Sequence, residues 1–203
     1  LRELEKAHKE PGKLSGVLHF DIGSITHALL ALHYSLSPDE ALALNTGRIR
    51  YVTSAGPLEI EDYPEAIAEA ERLYRAYRVY WGKADLGRVV AVERELQSTF
   101  DSDQRITGGL DLVVKMTKRD LARLRLDGLP GIYIVDHKTL GRKDPAEYEM
   151  ALHDLQFATY PQLWTSCEKG EVQGFLVNIL IKSATVAFER FIVPKMALRA
   201  EWE

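Results

Sequence analysis

The chain has 203 residues, of which 46% are hydrophobic and 28% charged, a composition typical of a globular protein with a sizeable core. Its single cysteine, Cys167, excludes an internal disulfide framework and any metal cluster held only by cysteines of this chain. A formal net charge of −4 and a pI near 5.9 exclude a protein that coats nucleic acid through bulk positive charge, although they leave room for a local basic groove.

No internal repeat or low-complexity linker divides the chain, so we expect one domain over residues 1–203, with a polar lead-in over residues 1–15. The sequence has no apolar run long enough to span a bilayer and no basic-then-apolar leader, which predicts a cytoplasmic protein without membrane contact. Because the chain starts at Leu1 rather than Met, the sequence leaves open whether a native N-terminal segment precedes it.

The first predicted helix runs from about Asp21 to Ser35, with Asp21 or Ser24 placed to cap its N-terminus. One apolar stripe is formed by Ile22, Ile25, Leu29 and Leu32. His27 falls opposite that stripe, beside further apolar residues, which predicts a helix between the core and a cleft with His27 on the cleft side. On the helix alone, a lone histidine is more often a structural residue than a ligand.

Ser37-Pro38-Asp39-Glu40 predicts the start of a short helix reaching Asn45. After a segment without clear periodicity, a long amphipathic helix is predicted from Pro64 to Trp81, with Glu71 and Arg75 as a supporting ion pair. Two interpretations of this helix stay open: contact with nucleic acid through arginines and tyrosines, or a half-buried helix with solvated arginines. The residues concerned are Arg72, Arg75, Arg78, Tyr74, Tyr77 and Tyr80.

The first predicted strand, Val89–Phe100, is β-branched at its start, and it places Glu93 and Glu95 on one face because strand side chains alternate. Asp101-Ser-Asp103 predicts a hairpin turn into the next strand.

The second predicted strand, Ile106–Met116, carries Asp111 among aliphatic residues. A carboxylate in that position is costly unless it is paired or bound to a metal ion. Thr117–Gly131 follows as a charged insertion before the central strand.

The central predicted strand, Ile132–Leu140, is an apolar run that ends in an Asp-x-Lys triplet. Alternation places Asp136 and Lys138 on one face and His137 on the other, with Tyr133 and Val135. A carboxylate and an ammonium group beside a buried strand indicate either a structural salt bridge at the strand end or part of an active site.

Asp144-Pro-Ala-Glu147 predicts the start of a helix, since it combines a capping residue, proline at the first position and glutamate at the third. This helix brings Gln156 and Tyr160 onto one face as an i, i+4 pair, and Pro161 is expected to kink or end it. Two more strands are predicted near Val172–Ile181 and Val186–Val193.

Four short motifs together resemble the PD-(D/E)XK nuclease superfamily, and specifically its RecB-type exonuclease branch. In chain order they are Gly23-Ser-Ile-Thr-His27, Gly109-Leu-Asp111, Asp136-His-Lys138 and Gln156-Phe-Ala-Thr-Tyr160. The predicted order of elements agrees with the superfamily's restriction-endonuclease-like αβββαβ core, an α/β fold with a central mixed sheet flanked by helices. The sequence departs from the common motif by using Asp rather than Glu before x-Lys, and both residues occur in the superfamily.

The resemblance implies a site for Mg²⁺ or Mn²⁺ and a role for each matching residue. The metal ligands would be His27, Asp111, Asp136 and the backbone carbonyl of His137. Lys138 would orient the attacking water or neutralise developing charge, so Lys138, Asp136 and Asp111 are the expected catalytic residues. Gln156 and Tyr160 would support the site and hold DNA, and Glu93 matches a glutamate that the branch carries on the preceding strand. Some members hold an iron–sulfur cluster through four cysteines, which this chain cannot do.

The first functional hypothesis is therefore a metal-dependent DNA nuclease, in particular an exonuclease of DNA processing, recombination or repair that works with other proteins of those processes. An alternative is a non-catalytic DNA-binding or assembly subunit that keeps the fold. A third interpretation is an α/β domain whose charged residues are structural. Retention of all three catalytic-type residues favours the enzyme.

Overall fold

A five-stranded mixed sheet forms the centre of the computed structural model, which describes residues 16–35, 51–53, 56–58, 64–82, 86–100, 104–142, 155–168 and 170–194. In chain order the elements are α1 (Gly16–Ser35), β1 (Tyr51–Thr53), β2 (Gly56–Leu58), α2 (Pro64–Trp81), β3 (Arg88–Phe100), β4 (Gln104–Met116), α3 (Lys118–Leu124), β5 (Gly131–Leu140), α4 (Leu155–Glu168), β6 (Val172–Ile181) and β7 (Ala187–Pro194). Among the described strands, β1 and β2 pair with each other and with no strand of the five-stranded sheet.

The sheet order is β3-β4-β5-β6-β7, and every neighbouring pair is antiparallel except β5 with β6. A parallel pair needs a crossover connection, and α4 lies in the chain between β5 and β6. The elements from α1 to β6 therefore contain the predicted αβββαβ order, and β7 extends the sheet by one antiparallel strand. The α/β fold class predicted from the sequence is confirmed.

Helices cover both faces of the sheet. On one face, Phe157, Leu163 and Trp164 of α4 share an apolar cluster with Ile134 of β5. On the other face, α1 and α2 pack together over β6 and β7, in a cluster that includes Leu30 of α1. Because side chains alternate along β5, Asp136 and Lys138 project to the α4 side with Ile134, and His137 projects to the α1 and α2 side.

The α1 helix begins at Gly16, five residues before the predicted start. Asp21 and Ser24 consequently lie inside the helix and do not cap it. An interior Asp or Ser costs only a fraction of a kcal/mol in helix propensity, so these residues do not force a helix start. The inner stripe is confirmed at Ile22 and Leu29, each 1% exposed.

The α2 helix has the predicted bounds, and Glu71 pairs with Arg75 at 3.2 Å. Tyr74 and Tyr77 are fully buried, so the half-buried interpretation of this helix is correct for them. Neither ring offers a face for stacking on a nucleic-acid base, although Tyr80 is 62% exposed.

Two features of the helices differ from the sequence-based expectations. The charged insertion contains α3, started by a capping box in which Thr117 and Asp120 bond each other's backbone N–H groups. Of the two outcomes expected at Pro161, a kink or an end, the end is wrong: α4 runs on to Glu168, because the burial of Leu163 and Trp164 in its second half offsets one lost hydrogen bond.

Some predictions fall outside the described residues: the short helix over residues 37–45, the turn at residues 101–103, and the start of the last helix at Asp144. No helix in the described part of the chain has the length and apolarity needed to cross a membrane.

Candidate functional site

The candidate site begins where the backbone ladder between β4 and β5 stops. The last paired residues are Leu112 and Val135. Two residues beyond Val135, the His137 N–H group donates to the Oδ2 atom of Asp111 at 2.9 Å. A carboxylate thus takes the place of a backbone acceptor, which fixes Asp111 against the backbone of the Asp-x-Lys triplet.

The α1 helix delivers His27 to the same point. Its Nδ1 atom lies 3.5 Å from Oδ2 of Asp111, and 30% of its side chain is exposed. Burial lowers the pKa of His27, and the Lys138 ammonium lowers it further, against opposing contributions from Asp111 and from a backbone hydrogen bond with His137. The imidazole is therefore held toward its neutral form, the form that binds metal ions.

The His137 backbone also affects His27. A hydrogen bond raises the pKa of an imidazole when a ring N–H donates to a carbonyl oxygen, and the His137 backbone has this effect on His27. The His137 backbone therefore interacts with His27 as well as with Asp111. Three of the four predicted metal-ligating groups therefore lie together.

The fourth group, the Asp136 carboxylate, comes from the residue before His137 on β5 and is paired with Lys138. The Oδ2 atom of Asp136 is 3.0 Å from Nζ of Lys138, and 11% and 31% of the two side chains are exposed. Both project to the α4 side of the sheet, as the alternation predicted. The ammonium group is thus fixed next to the Asp136 carboxylate while still reaching solvent.

Glu93 stands across from Asp111 in the β3–β4 pair, between the paired rows Val92–Leu112 and Arg94–Leu110. Its φ of 46° lies in the left-handed region, which costs a non-glycine residue about 1–2 kcal/mol and clusters at functional sites. Although Glu93 is exposed by its accessible surface, partial desolvation of its carboxyl group raises the pKa to about 7, and the negative charge of Asp111 raises it as well. A third carboxyl group thus faces the site.

Gln156 and Tyr160 lie on α4, the helix that covers the side carrying Asp136 and Lys138. Gln156 is half-buried. The Tyr160 ring packs over Gly108 of β4, where an added Cβ atom would come within 2.6 Å of the ring. Tyr160 is part of the apolar core next to Phe175. Its position supports β4 three residues before Asp111.

These donors suit a hard divalent cation. Two carboxylates, a backbone carbonyl and a neutral imidazole match Mg²⁺ or Mn²⁺. Ligands at about 2.1 Å from one ion lie roughly 3 Å apart, near the 3.5 Å between His27 and Asp111. Within the described residues, no three His, Cys, Asp or Glu side chains converge as a cage. Mg²⁺ does not require one, because it keeps several waters and uses one or two carboxylates.

The sequence interpretation missed two residues behind the site, Asn178 and Arg190. Asn178 is fully buried in β6, and its amide lies 2.7 Å from Nδ1 of His137. Arg190 of β7 donates to the same Asn178 side chain at 2.7 Å. The signal was an asparagine inside the apolar run of residues 172–181, since a buried amide needs hydrogen-bonding partners.

We expect Glu93→Gln to stabilise the protein near pH 8 and to change its stability little near pH 5. The folded protein keeps the Glu93 proton up to about pH 7, whereas the unfolded chain releases it near its ordinary pKa of 4.5. The folded state binds the extra proton between these values, so stability falls as pH rises through this window. Glutamine resembles the protonated form at every pH.

Thermal melts of parent and variant at pH 5 and pH 8, in chelator, measure this effect. Glu95→Gln, on the same strand, is the matched control. An equal melting-temperature difference at both pH values would contradict the assignment to Glu93.

Comparison with known proteins gives one family and a related fold. A family model described as the PD-(D/E)XK nuclease superfamily matches residues 1–196. No curated protein sequence matches the chain.

One solved structure, described as a "Putative exonuclease" from Eubacterium rectale, has a TM-score of 0.50 at 14% identity. The match covers 98% of this chain but 66% of that one, so this chain spans just under two thirds of its length. The structure of SSO0001 matches with a TM-score of 0.35 at 12% identity, over 98% of this chain and 80% of that one. At these identities the first likeness concerns the fold alone, and the second supports no argument.

Proposed function

This chain belongs to the PD-(D/E)XK nuclease superfamily, and from that premise we propose that it is a divalent-metal-dependent deoxyribonuclease that hydrolyses phosphodiester bonds. Membership of the superfamily implies a nucleic-acid substrate. The observation that carries the proposal is the contact of Asp111 with both His27 and the backbone of the Asp136-x-Lys138 triplet. A structural salt bridge between Asp136 and Lys138 would not need that convergence of α1, β4 and β5.

Asp111, Asp136, neutral His27 and the His137 carbonyl would hold the cation. When bound, Mg²⁺ or Mn²⁺ supplies Lewis acidity and positive charge for hydrolysis of a phosphodiester. Asp111 is fixed for this role by the His137 N–H group, and His27 by Asp111 and the His137 backbone.

Lys138 holds a positive charge beside the metal-binding carboxylates. Its pairing with Asp136 fixes the ammonium group, and its partial exposure lets it meet water and phosphate. A preorganised ammonium there orients the attacking water or stabilises negative charge that develops on the phosphate oxygens. Glu93, with its raised pKa, stands opposite Asp111 as a third carboxyl group of the site.

The finer parts of the proposal rest on the resemblance of the four motifs. We propose a RecB-type exonuclease acting in DNA processing, recombination or repair, together with other proteins of those processes. The proposal includes a single domain over residues 1–203 and a cytoplasmic location. Gln156 and Tyr160 would support the site from α4 and hold the DNA strand.

Cleavage of DNA by the purified protein tests the proposal. We expect Mg²⁺ or Mn²⁺ to support cleavage. Excess EDTA should abolish it, because it removes the cation whose positive charge stabilises the phosphate group during hydrolysis. An exonuclease should degrade linear duplex DNA and leave covalently closed circular DNA intact. DNA binding without cleavage in either metal would contradict the enzyme and indicate the non-catalytic subunit. Absence of both DNA binding and cleavage would indicate that the charged residues of the site have a structural role.

A further inference from the structure

A row of polar side chains crosses the sheet behind the candidate site. Arg190 of β7 is directly opposite Asn178 of β6, and Asn178 is directly opposite His137 of β5. Arg190 Nε donates to Asn178 at 2.7 Å, and the Asn178 amide lies 2.7 Å from His137 Nδ1. The row continues through the His137 backbone, whose N–H group donates to Asp111 of β4. Four adjacent strands are thus joined by side-chain hydrogen bonds that lead to the site.

The direction of these hydrogen bonds is set by Arg190. A guanidinium group has only donors, so the Asn178 atom facing it must be the acceptor, Oδ1. The Asn178 atom facing His137 is then Nδ2, which can only donate. Nδ1 of His137 must therefore accept, and the ring carries its proton on Nε2.

Both ends of the row are held by the helices. The Arg190 guanidinium stacks 3.6 Å above the Trp81 ring of α2 and also donates to the Tyr77 hydroxyl. The Tyr34 ring of α1 stacks on His137 with an interplanar angle of 10°. Asn178 and His137 are 0% and 2% exposed. A buried polar group is costly unless its hydrogen bonds are satisfied, so each member depends on the others for its placement.

We propose that Arg190 and Asn178 are positioning residues of the active site, which act through the His137 ring to fix the backbone between Asp136 and Lys138. The proposal rests on the proposed nuclease function. The ring is anchored on the α1 and α2 side of β5, while Asp136 and Lys138 project to the opposite side. A ring that cannot shift holds the His137 N–H group on Asp111 and the His137 backbone against His27. Asn178 and Arg190 themselves lie beside β5 in the sheet, on β6 and β7.

Asn178→Asp tests this inference with little change in shape. The carboxylate keeps the bond from Arg190 but has no N–H group for His137, so a bond to the ring survives only if Nδ1 becomes protonated. We expect nitrogen NMR to show Nδ1 unprotonated in the parent and protonated in the variant. The His137 amide should exchange with solvent faster. The kcat for DNA cleavage should fall by about 10–100-fold with KM for DNA unchanged, the range seen when residues supporting metal ligands are lost.

Tyr133→Phe is the matched control. Tyr133 is buried on the same side of β5 as His137, and its hydroxyl donates to the Leu129 carbonyl. The control should lower the melting temperature but leave kcat, the His137 amide exchange and the ring nitrogens unchanged. All rates are compared at a temperature where each protein is folded. If Asn178→Asp does not fold, Arg190→Met on the edge strand carries the test, and the same faster exchange and lower kcat are expected.

The outcomes separate this proposal from the nuclease function. A parent that does not cleave DNA overturns the function, and the amide exchange and ring nitrogens then decide the positioning role alone. A folded Asn178→Asp or Arg190→Met variant with parental His137 exchange and parental kcat overturns the positioning role, whatever the parent cleaves. A parent with a protonated Nδ1 overturns it as well.

Discussion

Asp111→Asn is expected to abolish metal binding and DNA cleavage while the protein stays folded and at least as stable as the parent. The asparagine Oδ1 atom can still accept the His137 N–H bond, so the contact between β4 and the triplet is kept. The variant loses the negative charge that a cation needs. It also loses a charge that opposes ionisation of Glu93, so its stability should be unchanged or higher near pH 8.

Calorimetry with Mn²⁺, thermal melts and cleavage assays measure the three parts of this expectation. We expect cleavage to fall by more than the roughly 10–100-fold range of residues that only support a metal ligand. Asp127→Asn, at an exposed position after α3, is the matched control for removing one carboxylate. Parental Mn²⁺ affinity in the double variant Asp111→Asn with Asp136→Asn would place the metal elsewhere. A large loss of stability with unchanged cleavage would make Asp111 a structural residue.

The arrangement along β5 could be predicted from sequence because it follows from one geometric rule. Strand side chains alternate, so an apolar run ending in Asp136-x-Lys138 predicts a charged pair on one face and a histidine on the other. The structure shows both, with an ion pair at 3.0 Å and His137 at 2% exposure. The bounds of α2 could also be predicted from sequence, because the amphipathic pattern extends from Pro64 to Trp81.

The conformation of Glu93 could not be predicted, because a left-handed residue in a strand has no local sequence signal unless it is glycine. The left-handed residue of β3 lies opposite Asp111 of β4, and the pairing of these two strands is not visible in the local sequence. The start of α1 was missed for a related reason. Capping residues show where a helix can begin, and tertiary packing decides whether the helix continues past them.

The row of polar side chains could not be predicted from the pattern of any one strand. Arg190, Asn178 and His137 come from three strands, and only the register of β5, β6 and β7 makes them neighbours. Asn178 alone could have indicated a buried hydrogen bond, but not its partners. The convergence of His27 with Asp111 was likewise expected from the family resemblance and not from periodicity, which placed His27 only on the side of α1 opposite its apolar stripe.

Lys138→Ala is expected to cut the rate of DNA cleavage by roughly 10²–10⁴-fold, the range for losing a positioned acid–base or electrostatic group. Metal affinity should persist or increase. The ammonium group repels a cation and competes for the Asp136 carboxylate at 3.0 Å, so its removal favours metal binding at a pH where His27 is neutral. Lys115→Ala, at an exposed position on β4, is the matched control.

Asp136→Ala should behave differently in kind, because it removes a metal ligand and leaves the Lys138 ammonium without the carboxylate it faces. Metal binding and cleavage should then be lost together. If the pair is only a structural salt bridge, both variants lower the melting temperature by similar amounts and leave cleavage per folded molecule unchanged. Melting temperature, Mn²⁺ affinity and cleavage rate, measured on both variants, separate the two cases. A Lys138→Ala protein that is folded, binds Mn²⁺ and cleaves DNA at the parental rate would refute the role proposed for Lys138, since a preorganised charge cannot be removed from the transition state without changing the rate.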